Sequence, residues 1–214
     1  MQVKKEEVRK AILAAATEEF LAKGFLGTSM REIARKAGCS LSNLYNYFEN
    51  KDDLFKAILS STTSAVDEVL ERLENGLPGR SSILHSYEFK ASTLNAVVAF
   101  IDEHRDYLRL LLLRAEGSDM RTYKERLIER YAEICARAAA SQSGSADIPV
   151  SRFFLRNVCS FYMNTLEEML KHDLLREHME EYGEELLRYS FFGFAALLQP
   201  ELQRSEDATV PLAQ

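Results

Sequence analysis

The chain has 214 residues, 46% apolar and 28% charged, values ordinary for a soluble globular protein and a length that buries a sizeable core without staples. Its formal charge of −6 counts against nucleic acid as a partner until it is divided: residues 1–58 hold ten Lys and Arg against eight Asp and Glu, and the remainder holds seventeen against twenty-five. Only the first part could receive phosphate without an opposing field.

Three scattered cysteines, Cys39, Cys135 and Cys159, make neither a disulfide framework nor a metal-ligand pattern, and they fit a reducing compartment. No apolar run approaches 18 residues, and MQVKKEEVRK at the start leads into no apolar h-region. The expectation is a cytoplasmic protein with no membrane segment. Leu, Ala, Glu and Arg dominate while glycine (9) and proline (4) are scarce, so an all-α fold is expected.

Val8, Ile12, Ala15, Ala16 and Phe20 recur at helical spacing over Glu6 to Lys23, with Gly24 placed to end that helix and Phe25 to fold back on Phe20. Ser29-Met30-Arg31-Glu32 is a capping box opening a short second helix, with Ile33, Ala34 and Ala37 inward and Gly38 as its stop. Ser40 caps a third helix predicted over Leu41 to Phe48. Asn50, with Asp52 and Asp53 behind it, opens a fourth that runs to about Glu74. The middle pair, joined through Ala37-Gly38-Cys39-Ser40, has a helix-turn-helix pattern.

Asn75-Gly76-Leu77-Pro78-Gly79 then breaks the chain. Helical pattern resumes over about Ser82 to Arg114 with a kink near His104, over Met120 to Ala140, Val150 to Lys171 and Met179 to Gln199, with SQSGSADIP (141–149) as the clearest loop. The organisation expected is a head at 1–58, a helical domain at 59–200 and a flexible tail at 201–214.

On a helical wheel of the third helix, Leu44 and Phe48 define the inward side, and Ser42 and Asn46 point away from it. Tyr45 and Tyr47 flank the outer face. Hydroxyls, amides and aromatic edges of this kind bond base edges and phosphates without carrying charge. Asn46 suits an adenine edge and Leu41 a thymine methyl, while Tyr45, Tyr47 and helix N-termini suit phosphate oxygens, with Lys51 adding a cation.

The segment from about Val8 to Leu59 resembles the N-terminal domain of the TetR family of transcriptional regulators. Ile12, Ala15, Phe20 and Gly24-Phe25 carry the likeness, followed by Thr28-Ser29-Met30-Arg31-Glu32-Ile33-Ala34, Ala37-Gly38, Ser40, Leu44-Tyr45, Tyr47-Phe48, Lys51 and Leu54. It covers about a quarter of the chain. The resemblance implies a homodimer whose recognition helices enter successive major grooves of a palindromic operator. Carried over by position, the DNA contacts are Thr28, Arg31, Ser40, Leu41, Ser42, Tyr45, Asn46, Tyr47 and Lys51. The chain departs from the family at Leu41, where a basic residue is common, at Ser42, where glycine is, and at Asn46, where histidine is.

The resemblance further implies that the second domain holds a small-molecule effector and the dimer contact. Apolar residues of the 150–171 helix, Phe153 to Leu170, wrap too far round to bury on one side, and those of the last helix do likewise. A four-helix dimer contact through Phe161, Leu187, Phe191, Phe194 and Leu198 is the natural reading. Candidate pocket residues are Tyr87, Phe100, Tyr123, Phe154, Asn157 and Tyr162. His172 beside Glu168 and His178 beside Glu181 read as solvated helix ends, and no metal or cofactor is expected. No Ser-His-Asp set, P-loop or GxGxxG occurs, so the chain is read as a regulator and not an enzyme. The alternative is a helical small-molecule-binding protein or enzyme whose head is vestigial.

Overall fold

The computed structural model describes residues 2–75, 87–143 and 150–198, and every regular element among them is helical. The helices are α1 (Gln2–Gly27), α2 (Met30–Lys36), α3 (Leu41–Tyr45), α4 (Lys51–Asn75), α5 (Tyr87–Glu103), α6 (Arg105–Leu113), α7 (Tyr123–Ser143), α8 (Arg152–Lys171) and α9 (Arg176–Leu198). A short 3₁₀ turn at Asp119–Thr122 leads into α7. The chain is all-α, as its composition suggests.

Two compact units make up the chain. The first combines 1–70 with 104–127 and 166–171; the second combines 71–103, 128–165 and 172–214. In the first, Ile12, Phe20, Ile33, Leu44, Leu54, Phe55 and Leu59 form a closed core that also takes in Leu110, Leu111 and Ala115. The N-terminal helices therefore do not bury their apolar faces on one another alone; α6 supplies part of the core.

Gly24 breaks α1 where expected, at φ 72° and ψ 174°, a conformation open essentially to glycine. One more helical turn follows before the chain leaves. The Thr28 hydroxyl stands beneath this break, 2.8 Å from the Gly24 carbonyl and 3.1 Å from that of Glu19, its hydrogen-bond acceptors. Phe25 folds back on Phe20 with ring centroids 5.9 Å apart, and the Phe55 ring meets both edge-on at 4.9 and 5.2 Å.

The Ser29 hydroxyl accepts the Glu32 N–H at 3.2 Å, and the same side chain meets the Glu32 carboxylate at 3.3 Å. The capping box thus closes side chain to side chain. At the start of α4, Asn50 Oδ1 accepts the Asp53 N–H at 2.8 Å while Asp53 Oδ2 accepts that of Glu49 at 3.1 Å, a reciprocal cap of the same logic.

The connection after α6 is fastened to the head at three points. The Arg114 carbonyl accepts the Phe25 N–H at 2.9 Å, Asp52 Oδ1 accepts the Asp119 N–H at 2.7 Å, and the Lys56 ammonium pairs with the Asp119 carboxylate at 2.6 Å. Between these points Gly117 takes φ 84° directly beneath Leu26, where a Cβ would lie 2.2 Å from a leucine methyl. Gly117→Ala is expected to cost about 1–2 kcal/mol in left-handed strain plus the displacement of Leu26. Adding Leu26→Ala should recover only the displacement, and urea unfolding of the two variants separates the contributions.

In the second unit α5 packs along α9, and Ile128 and Ala132 of α7 meet Cys159 of α8. The helix expected over 82–114 divides at His104, whose φ of −103° and ψ of 13° lie outside the helical range. Its first residues, 82–86, fall outside the described residues, as do most of the expected loop and the tail at 201–214. α8 starts later than Val150 because Ser151 caps it, accepting the Phe154 N–H at 3.1 Å.

Candidate nucleic-acid interface

The third helix is shorter than its pattern predicts. It runs Leu41–Tyr45, and Asn46 caps its end instead of lying within it. The reason lies in the last turn, where the Asn46 and Tyr47 N–H groups bond to carbonyls three residues back and the Phe48 N–H bonds to Leu44. This tightening still places Phe48 beside Leu44, so both are buried as the wheel predicts.

Ser40 caps the helix by accepting the Asn43 N–H at 3.1 Å. Ser42, Tyr45 and Asn46 are exposed, and Leu41 and Tyr47 are half-buried against the core. Arg31 is exposed on α2, and so is Arg35 one turn later on the same face. Arg35 is absent from the residues read off the sequence, although its i,i+4 spacing from Arg31 was the available signal.

Thr28, Arg31, Leu41, Tyr45 and Lys51 come together around one surface recess of about 430 Å³, completed by Ser29, Met30 and Asn50. Ser40, Ser42, Asn46 and Tyr47 lie outside it. Thr28 reaches this recess as a buried residue whose hydroxyl is spent on the α1 break. Lys51 points inward as well. Its ammonium donates to the carbonyls of Phe25 at 2.7 Å and Thr28 at 2.9 Å, and it sits 4.3 Å from the centre of the Phe25 ring. Burial lowers its pKa, opposed by the neighbouring Asp52.

A charged cluster ties α1 to α2. Glu19 pairs with Lys23 at 2.7 Å through Oε2, which has no further hydrogen-bond partner, and with Lys36 at 3.3 Å; Lys36 also meets Glu18 at 2.7 Å. The Lys23 ammonium holds the buried Glu19 carboxyl below its usual value against the effect of burial, and Lys36 adds to it. A depressed carboxyl contributes stability that is present above its unfolded value and lost as pH falls through the folded one. Acidification below the ordinary glutamate range of about 4.3 should therefore loosen α2, and Glu19→Gln should flatten that part of the pH–stability curve. Cys39, between α2 and α3, is half-buried, and burial pushes its thiol up.

The residues read as an effector pocket fall in both units. Tyr123 packs on the core of the first unit with the Arg126 guanidinium 5.8 Å from its ring. Phe100, Phe154, Asn157 and Tyr162 belong to the second unit, where Asn157 Nδ2 donates to the Phe153 carbonyl at 2.7 Å. Tyr87 lies on α5 with its side chain outside the described residues. A recess of about 240 Å³ in the second unit is lined by Glu129, Ala132, Glu133, Ala136, Arg152, Phe153 and Arg156, and holds none of the six. Of the expected dimer residues, Phe161 is 46% exposed, and Phe153 on the same helix is 78% exposed. Leu187, Phe191, Phe194 and Leu198 all lie on α9, and their side chains are outside the described residues. No helix among the described residues is long and apolar enough to cross a membrane.

A capped two-helix unit presenting a polar third helix over an apolar core defines a helix-turn-helix protein. The sequence model for bacterial regulatory proteins of the tetR family matches residues 12–58. The uncharacterized HTH-type transcriptional regulator YdgC of Bacillus subtilis is 32% identical over 127 residues, 56% of this chain and 62% of that one. HTH-type transcriptional regulator HbdR of Aromatoleum sp. is 29% identical over 159 residues, 70% of this chain and 64% of that one. The chain thus spans somewhat under two thirds of these relatives' lengths. Among solved structures, NalD of Pseudomonas aeruginosa, described as the secondary repressor of the MexAB-OprM multidrug efflux pump, superposes with a TM-score of 0.61 at 26% identity. That match covers 88% of this chain and 96% of NalD. Residues 12–58 thus have the sequence and the fold of a tetR-family helix-turn-helix domain.

Proposed function

We propose that the chain is a transcriptional repressor that binds a palindromic operator as a homodimer and releases it when a small molecule occupies the second domain. On this reading residues 1–58 act as the DNA-binding domain and 59–200 as the effector and dimerisation domain. The observation that carries it is the outer face of α3. Ser42, Tyr45 and Asn46 are exposed in a row while Leu44 and Phe48 lock the same few residues into the core, so the face is rigid and polar without being needed for packing. Arg31 supplies charge beside it.

The repressor assignment draws on NalD, whose description names it a repressor. The dimer assignment draws on the exposed aromatic side chains Phe153, Phe154 and Phe161 of α8 and on Tyr182 and Tyr189 of α9. Effector binding shifts DNA affinity only through different affinities for two states of the head. α4 is the proposed carrier, since it runs from the cap beside α3 to Asn75.

The test is duplex affinity against salt. Phosphate contacts impose a steep linear fall of log affinity with log salt concentration, whereas a vestigial head shows none. Within that experiment Tyr47→Phe should weaken binding to all sequences alike. Asn46→Ala should relax preference at one position per half-site, by about 1–3 kcal/mol of discrimination.

A further inference from the structure

The second unit contains a cluster of sulfur that the regulatory reading does not use. Cys159 of α8 is fully buried, and Cys135 of α7 packs against the same apolar cluster. Met163 stands one turn beyond Cys159 on the same helix and packs against the same cluster, as does Tyr131, one turn before Cys135. The i,i+4 spacing puts both α8 sulfurs on one helical face. Ile128 and Ala132 form its apolar wall, and Ala132 also borders the 240 Å³ recess.

We propose that Cys135, Cys159 and Met163 form a three-sulfur site for a soft monovalent cation, copper(I). Two thiolates and a thioether are a soft donor set, and soft donors select copper(I) over harder divalent ions. Among the described residues no three His, Cys, Asp or Glu side chains are placed to hold a metal ion together, so a four-coordinate zinc centre lacks its donors here. Peroxide sensing is the weaker use of the same atoms. Cys159 is closed off from solvent, and a buried thiol is out of reach of an oxidant. A metal ion instead displaces the proton. Binding breaks two S–H bonds, releases two protons to solvent and forms two thiolate–copper bonds, with the Met163 thioether donating a lone pair as the third ligand. No electron is transferred. The site stands whether or not the head reads DNA.

The experiment titrates the full chain anaerobically with copper(I) in competition with bicinchoninate, following near-ultraviolet thiolate-to-copper absorption. The expected result is one tightly held copper(I) per chain, abolished by Cys135→Ser and unaffected by Cys39→Ser. Met163→Leu keeps the volume of the side chain and should weaken binding roughly tenfold or more. Cys135 and Met163 are only partly buried, so these variants test the site even if a Cys159 variant fails to fold. Failure of the parent to hold copper(I) against the chelator would overturn the proposal. So would undiminished binding by Cys135→Ser, or zinc(II) held as tightly by the same residues.

Discussion

Phe55→Ala should destabilise the first unit by about 3–5 kcal/mol, the range for removing a fully buried aromatic ring. Phe55 enters from α4 between two rings of the α1 terminus and is itself fully buried. Its loss removes the edge-on contacts to Phe20 and Phe25 together, and those contacts fix where α1 ends and where the chain turns toward α2. Because a domain's whole stability is about 5–15 kcal/mol, the variant should sit near its unfolding threshold. Urea unfolding followed by circular dichroism measures the loss directly. A loss under about 1 kcal/mol would mean that the site collapses around the missing ring and that the head is less rigid than its packing implies.

Lys51→Met is the second large effect, and it separates two roles for one residue. A lysine that only touches phosphate should change DNA affinity and reduce the salt slope by about one, leaving stability alone. The geometry predicts otherwise. The ammonium satisfies the carbonyls of Phe25 and Thr28, which close the α1 break and lead into the Ser29 cap. Methionine keeps most of the stem and leaves both carbonyls without this partner. Charged hydrogen bonds of this kind are each worth about 1.5–3 kcal/mol, and partial exposure reduces the sum, so a loss of about 2 kcal/mol is expected. Unfolding midpoints and salt-dependent DNA titrations on the same preparation distinguish the two roles.

These two residues also show where reading the sequence succeeds and where it stops. Gly24, the Ser29–Glu32 pair, Ser40 and the inward placement of Leu44 and Phe48 were all legible, because caps, glycine breaks and helical periodicity act within four residues along the chain. The direction of Lys51 was not. Its acceptors are 26 and 23 residues away, and residue type alone gives a lysine at a helix start equal claim to a phosphate or a carbonyl. The Thr28 hydroxyl was hidden for a different reason, since its acceptors come within reach only once Gly24 bends α1. The short extent of α3 reflects a local choice between bonds to carbonyls three and four residues back, which periodicity does not resolve. The share of the first core supplied by Leu110, Leu111 and Ala115 depends on contacts between segments some fifty residues or more apart.

The central claim is that α3 reads duplex DNA in a sequence-specific, two-fold manner. The most direct measurement is selection of random duplexes on the purified full chain, read out by sequencing, with the Asn46→Ala variant run in parallel. The account predicts a palindrome with half-sites about one helical turn apart, and a variant motif that blurs at one position in each half. No motif at low salt, or the same motif from both proteins, would contradict it.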